Sequence, residues 1–235
     1  MREELLGAIM LLALFGALIG VAEALARKTT LDPEWSRKLV HLGGGLGCLL
    51  FPVLVGSPWT VLFLALCFGG VFWLAERKRW LHSLCRVSRR SRGSMYYPFA
   101  IAGLFWASAD RYGLYASAVL VLTVSDTAAA LVGTRYGRIR YRTGGIAEHK
   151  SLEGSLAFWI LTFLVVYVPL TLGNGTGPVH ALFAAFLAAT MLTAVEAVAI
   201  GGRDNLYVPI LASFILLKVV TKPAAELAMQ SVSMV

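Results

Sequence analysis

Charge is the first thing this sequence has little of. Only 14% of its 235 residues are Asp, Glu, Lys or Arg, while 58% are hydrophobic. An ordinary soluble domain carries about 25% charged residues, so the deficit excludes a soluble globular domain as the bulk of the chain. Cysteine is scarce as well. Cys48, Cys67 and Cys85 show no CxxC spacing, which argues against a disulfide framework or a zinc site. Cys48 and Cys67 lie in apolar runs and read as small core residues. No Walker A motif, protein-kinase glycine loop or internal repeat is present, so any nucleotide is held by other means. The first apolar run, 5–26, is too long for a signal h-region and follows only Arg2 as a basic residue, so it reads as a retained span.

What the chain does have is a series of apolar runs, each near the roughly 20 residues that cross a bilayer as a helix. We read eight, at 5–26, 39–55, 58–76, 95–109, 113–134, 154–173, 179–200 and 206–222, within a range of seven to nine. The fold expected is an all-α polytopic bundle, one domain over 1–235. The fourth run is short and carries Pro98, so it is expected to tilt, re-enter or extend into Tyr115. The net charge of +8 would suggest nucleic acid in a soluble protein. Here the basic residues sit between spans, where orientation and lipid headgroups account for them; membrane lipids are expected partners and nucleic acid is not. Of the 21 Lys and Arg residues, all but Arg2, Arg111, Lys218 and Lys222 follow odd-numbered spans. The positive-inside rule then puts those loops in the cytoplasm and both termini outside. The basic run 77–92 reads as a headgroup-binding loop. The opposite links are minimal, namely Gly56-Ser57-Pro58, Asp110-Arg111-Tyr112 and GNGTGP at 173–178, so chemistry belongs on the cytoplasmic side. A bacterial-type plasma membrane is the simplest location.

Asp126 stands inside an apolar run, where a charge costs roughly 2.5–3.5 kcal/mol on insertion scales and is a functional candidate by default. Ala130, Gly133 and Gly137 follow on its helical face, small enough for close approach of a helix or a phosphate. Lys150 and Glu153, three apart at a helix start, are expected to share a face. Arg138, Arg140 and Arg142 form a basic loop able to neutralise a polyphosphate, beside Gly144 and Gly145, which let backbone amides converge. Upstream, Arg37, Lys38 and His41 enter the second span, on a helix slimmed by Gly43, Gly44, Gly45 and Gly47. Asp204 and Asn205 precede the last span, where Asp reads as an N-cap. Glu196 and Glu23 are weaker candidates, and Glu76 reads as interfacial. Carboxylates from three spans, each flanked by cations, make up the parts of phosphoryl or nucleotidyl transfer.

The segments RKLVHLGGG (37–45), SDTAAALVGTRYG (125–137), HKSLEGS (149–155) and DNLYVP (204–209) occur in an order that resembles the polyprenol kinase family: phytol kinase, dolichol kinase and the CTP-dependent diacylglycerol kinase, related in turn to CDP-diacylglycerol synthase. The final segment looks most like the phytol kinase branch, although Tyr207 stands where a small residue is common there. The resemblance implies transfer of the CTP γ-phosphate to a lipid alcohol with Mg²⁺ at the cytoplasmic face; UTP and ATP are the other donors in question. It implies Asp126, Glu153 and Asp204 as metal ligands, and Asp126, Lys150, Glu153 and His41 as catalytic residues. Arg37, Lys38, Gly133, Gly137, Arg138, Arg140, Ser151 and Asn205 would hold the nucleotide and its phosphates. A cytidylyltransferase making a CDP-lipid would use the same groups. A transporter relaying ions through Asp126 and Glu196 is a different class, disfavoured by the missing repeat and broken-helix pair. The alcohol's chain length and the oligomeric state are not written in the sequence.

Overall fold

The apolar runs fold as packed helices in the computed structural model, which describes residues 2–28, 33–78, 80, 81, 83, 93–108, 111–142, 149–173 and 177–220. Cys85, Asp110, Gly144, Gly145, Lys222, residues 174–176 and the arginines at 79, 86, 89, 90 and 92 lie outside the described residues. The elements are α1 (Arg2–Lys28), α2 (Pro33–Cys48), α3 (Phe51–Leu54), α4 (Pro58–Lys78), α5 (Gly93–Ser108) and α6 (Tyr112–Leu120). A π turn (Val121–Ser125) joins α6 to α7 (Asp126–Tyr136). The strands β1 (Arg140–Arg142) and β2 (His149–Ser151) follow, then α8 (Leu152–Gly173), α9 (Pro178–Val198) and α10 (Asp204–Val220).

Among the described residues, five helices are long and apolar enough to cross a membrane: α1, α4, the continuous Tyr112–Tyr136 rod, α8 through Leu172, and α9. The other three expected spans are helical over fewer described residues. At 16, 16 and 17 residues, α2, α5 and α10 reach about 24–26 Å at 1.5 Å per residue, against a hydrocarbon core of about 30 Å. The run 39–55 is interrupted by a turn at Leu49–Leu50 before α3. The run 95–109 is helical as far as it is described, to Ser108, and does not extend into Tyr115, which belongs to α6. One element is not helical. β1 pairs antiparallel with β2, Tyr141 opposite Lys150, where the sequence suggested only a loop.

Local chemistry sets the ends of these elements. Pro58 and Pro178 open α4 and α9, since a proline in the first helical turn gives up only an amide that has no partner there. Gly201 and Gly202, at φ +67° and +80°, make a left-handed reversal that other residues adopt at a cost. That reversal folds α10 back beside α9. The core gathers round the α6–π–α7 rod, whose Tyr115, Val119, Val121 and Leu122 are almost wholly buried. Phe158 of α8 joins this core, and the small residues Ala181, Ala184, Ala185 and Ala188 of α9 are buried in it, with α9 lying against α8 and α10, where small side chains let backbones approach closely. Facing outward are large apolar side chains such as Leu5, Ile9, Phe63, Leu66, Leu156, Phe183 and Phe186. Trp59 and Trp106 stack edge to face at 5.0 Å at one end of the bundle, and Trp35, Trp73 and Trp80 are exposed at the other. Two tryptophan belts beyond an apolar waist are the distribution a bilayer selects.

Candidate active site

Two charged clusters form where α2, the π turn, β2, α9 and α10 meet. The first centres on Asp126. Lys38 Nζ lies 2.6 Å from Asp126 Oδ2 and 3.4 Å from the Asp126 carbonyl. His41 Nε2 lies 3.3 Å from the same Oδ2 and 2.9 Å from the carbonyl oxygen of Leu122. A carbonyl only accepts, so Nε2 carries the proton and, in the neutral ring, Nδ1 keeps the lone pair. Leu122 belongs to the π turn, a wider turn often found at functional sites. Tyr97 holds the imidazole from the side, its ring edge-on at 4.7 Å and its hydroxyl 3.0 Å from Thr123 Oγ1. Gly45 makes this fit possible, because a Cβ there would fall 1.9 Å from Thr123 Oγ1.

The second cluster centres on Lys150. Its ammonium donates to the backbone carbonyl of Glu196 and lies 2.5 Å from Glu196 Oε1 and 3.8 Å from Asp204 Oδ2. The glycine reversal at 201–202 brings Glu196 and Asp204, from successive helices, to one cation. Burial alone would lower the Lys150 pKa, but these two carboxylates outweigh it and hold the pKa above the ordinary lysine value. Asp204 is the first residue of α10, and its Oδ1 accepts the Asn205 amide at 3.0 Å.

The expected face shared by Lys150 and Glu153 is not formed. Lys150 belongs to strand β2 and Glu153 to the first turn of α8, so no common helix axis aligns them. Glu153 turns instead to the segment before β1. Its Oε1 accepts the amides of Arg138 at 2.9 Å and Ile139 at 3.2 Å, pinning the ribbon to α8. Gly133, Gly137 and Ser151 belong to the same joint. A Cβ on Gly137 would meet Ser151 Cβ at 2.7 Å, and one on Gly133 would meet Ser151 Oγ at 3.0 Å, while Ser151 Oγ accepts the Gly154 amide. Arg138 and Arg140 are exposed on the ribbon. Glu23, a weak candidate, binds Arg27 at 2.6 Å and the Ser83 amide at 3.0 Å.

One cavity joins the two clusters. Arg37, Lys38, His41, Asp126, Lys150, Asp204 and Asn205 line it at one end, and Phe15, Leu18, Cys48, Phe51, Val61, Leu64, Phe68 and Phe72 at the other. Its volume of about 160 Å³ far exceeds the roughly 10–15 Å³ that one water needs. Of the residues named from sequence, Glu153, Gly133, Gly137, Arg138, Arg140 and Ser151 are not among its lining. Glu196 proves more central than the sequence suggested. Tyr97 and the apolar walls went unnamed because nothing distinguishes them in sequence from ordinary core residues.

Among the described residues no three His, Cys, Asp or Glu side chains are grouped to hold a metal ion, so the set Asp126, Glu153 and Asp204 is not assembled. Asp126 and Asp204 do line one cavity. Two carboxylates with phosphate oxygens and waters completing the shell is the ordinary protein share of a Mg²⁺ site, and this pair fits it. With Arg37, Lys38 and Lys150 alongside, the polar end suits a metal-bound polyanion, and the other end suits a hydrocarbon.

Known proteins agree in kind. No protein-family model and no solved structure matches the chain. It is 35% identical over 198 residues to the phytol kinase of Synechocystis sp., covering 83% of each protein. It is 29% identical over 165 residues to the probable phytol kinase 1, chloroplastic, of Glycine max, covering 63% of this chain and 52% of that one. At that identity and coverage, with the segments around His41, Asp126, Lys150 and Asp204 converging on one cavity, the chain belongs to the polyprenol kinase family that includes the phytol kinases.

Proposed function

We propose that this chain is a membrane-embedded kinase that transfers the γ-phosphoryl group of CTP to the hydroxyl of an isoprenoid alcohol of phytol or polyprenol type. The observation that carries this reading is the single cavity that is cationic and acidic at one end and apolar at the other. A triphosphate and a hydrocarbon tail need opposite environments, and here both open onto Asp126. The family membership and the phytol kinase names of both relatives support the acceptor class.

In this reading the alcohol oxygen attacks the γ-phosphorus while the bond from that phosphorus to the β–γ bridging oxygen breaks, releasing CDP. The proton of the alcohol passes to the Asp126 carboxylate, which Lys38 and His41 hold in place. Lys38, Lys150 and Arg37 offset the charge of the phosphates, and most of the rate comes from such positioning and charge stabilisation. Asp126 and Asp204 would hold Mg²⁺, which neutralises phosphate charge when bound. The exposed Arg138 and Arg140 would meet the nucleotide from outside the cavity. We further propose that α2, α5 and α10 complete an eight-pass bundle with both termini outside and the charged end at the cytoplasmic face, following the segregation of the basic residues.

Labelled nucleotide tests the reaction. With γ-labelled CTP, Mg²⁺ and phytol, the label enters the lipid. Recovery of that label in pyrophosphate, with α-label in the lipid, would assign the chain to CDP-lipid synthesis instead.

A further inference from the structure

The apolar half of the cavity runs down to a floor of buried side chains. On α2, His41, Gly44 and Cys48 line it at helical spacing, with Phe51 beyond them on α3; on α4, Val61, Leu64, Phe68 and Phe72 do the same. Lys38 to Cys48 spans about 15 Å and Val61 to Phe72 about 16 Å at 1.5 Å per residue, roughly half of a 30 Å hydrocarbon core. The end far from the charges is shut. Cys48 and Phe51 are 5% exposed and Val61 and Leu64 1%, and Phe15 stands edge-on to Phe51 and Phe68 at 5.9 and 5.3 Å.

The glycines of α2 divide by function. A Cβ on Gly43 would meet Leu18 at 2.8 Å, one on Gly45 would collide with Thr123, and one on Gly47 would meet Phe15 at 2.9 Å. Packing explains those three. Gly44 is different: a Cβ there meets nothing within 4 Å, although the residue lines the cavity between His41 and Cys48. No neighbour requires glycine at this position, and a glycine inside a helix is unfavourable relative to alanine. What its missing side chain leaves is chamber width.

We infer that this chamber sets the chain length of the alcohol, with Gly44 as its throat and Val61 and Phe51 as its floor. An isoprenoid tail about half a bilayer long is seated whole, and a much longer polyprenol is rejected because its tail has no exit through the floor. The inference rests on the kinase reading and deepens it. It is tested on the full-length protein in detergent micelles with γ-labelled CTP and three alcohols: geraniol, phytol and a polyprenol more than twice phytol's length. For the unaltered chain, phytol is preferred to the polyprenol. Gly44→Leu is expected to lower the phytol-to-geraniol rate ratio about tenfold or more, the scale on which apolar pockets sense added carbon. Should that variant label no alcohol at all, Val61→Ala decides, and a several-fold rise in its polyprenol-to-phytol ratio is expected. Ratios within about twofold of the unaltered chain, in whichever variant decides, would overturn the inference and leave the kinase reading standing. Absence of label from every alcohol with the unaltered chain would sink both.

Discussion

Asp126, the carboxylate that the apolar run made conspicuous, is held by one cation and one imidazole from α2. A cost of insertion can be read from sequence; a partner eighty-odd residues away cannot. Glu196 shows the same limit. It looked like a lesser intramembrane acid, yet it is the near partner of Lys150, because the turn that aims α10 back at α9 is invisible to helical periodicity. Glu196→Ala leaves Lys150 the backbone carbonyl at 196 and the Asp204 carboxylate at 3.8 Å, so the loss of stability should fall toward the lower end of the about 3–5 kcal/mol seen when a buried ion pair is broken. Thermal denaturation in detergent checks this. Since the folded-state pKa of Lys150 is raised, its contribution is fully present below the unfolded lysine value of about 10.4. It fades only as pH climbs through the higher folded value. Thermal stability measured from pH 7 to 10 should therefore show no loss that Lys150→Met abolishes. Glu153 makes a third case. It was expected to bind metal, and the structure gives its carboxylate to two backbone amides of the ribbon. Glu153→Ala should hasten tryptic cleavage at the ribbon arginines and raise the KM for nucleotide, with the Mg²⁺ dependence unchanged. A shifted Mg²⁺ dependence would return Glu153 to the metal.

At the scale of elements, hydropathy located the long helices among the described residues, because apolar runs bounded by charge and proline leave few alternatives. It does not fix how far α2, α5 and α10 reach. The halt at Leu49–Leu50 depends on how neighbours pack, and an apolar window does not encode that. The β1–β2 ribbon was missed because its three-residue strands are too short for alternation to register, and because the arginines there read equally well as topology signals. The glycine reversal is the element on which the Lys150 cluster depends. Gly201 has open space where a Cβ would go, so Gly201→Ala tests backbone strain alone. It should cost about 1–2 kcal/mol, read as a lower Tm, and should reduce activity by displacing Asp204 from Lys150.

For the whole molecule, the four sequence segments that carry the family resemblance divide into two structural jobs. RKLVHLGGG, the Asp126 helix and the start of α10 line the cavity, while the glycines 133 and 137 with Ser151 and Glu153 lock the ribbon that presents Lys150. The charge layout alone indicated which end of the bundle gathers the charged clusters. The apolar chamber could not be read in advance, because its walls are ordinary leucines, valines and phenylalanines whose common direction exists only after packing. The proposed function stands or falls on phosphoryl transfer in this one cavity, at Asp126. The most direct measurement is transfer of label from γ-labelled CTP to phytol by the unaltered protein and by Asp126→Asn, each quantified in membranes. Asn keeps an oxygen for Lys38, so the account predicts equal membrane insertion and loss of activity by at least about a hundredfold, the lower bound for removing a positioned proton acceptor. Substantial phosphorylation by a normally inserted Asp126→Asn protein would contradict it.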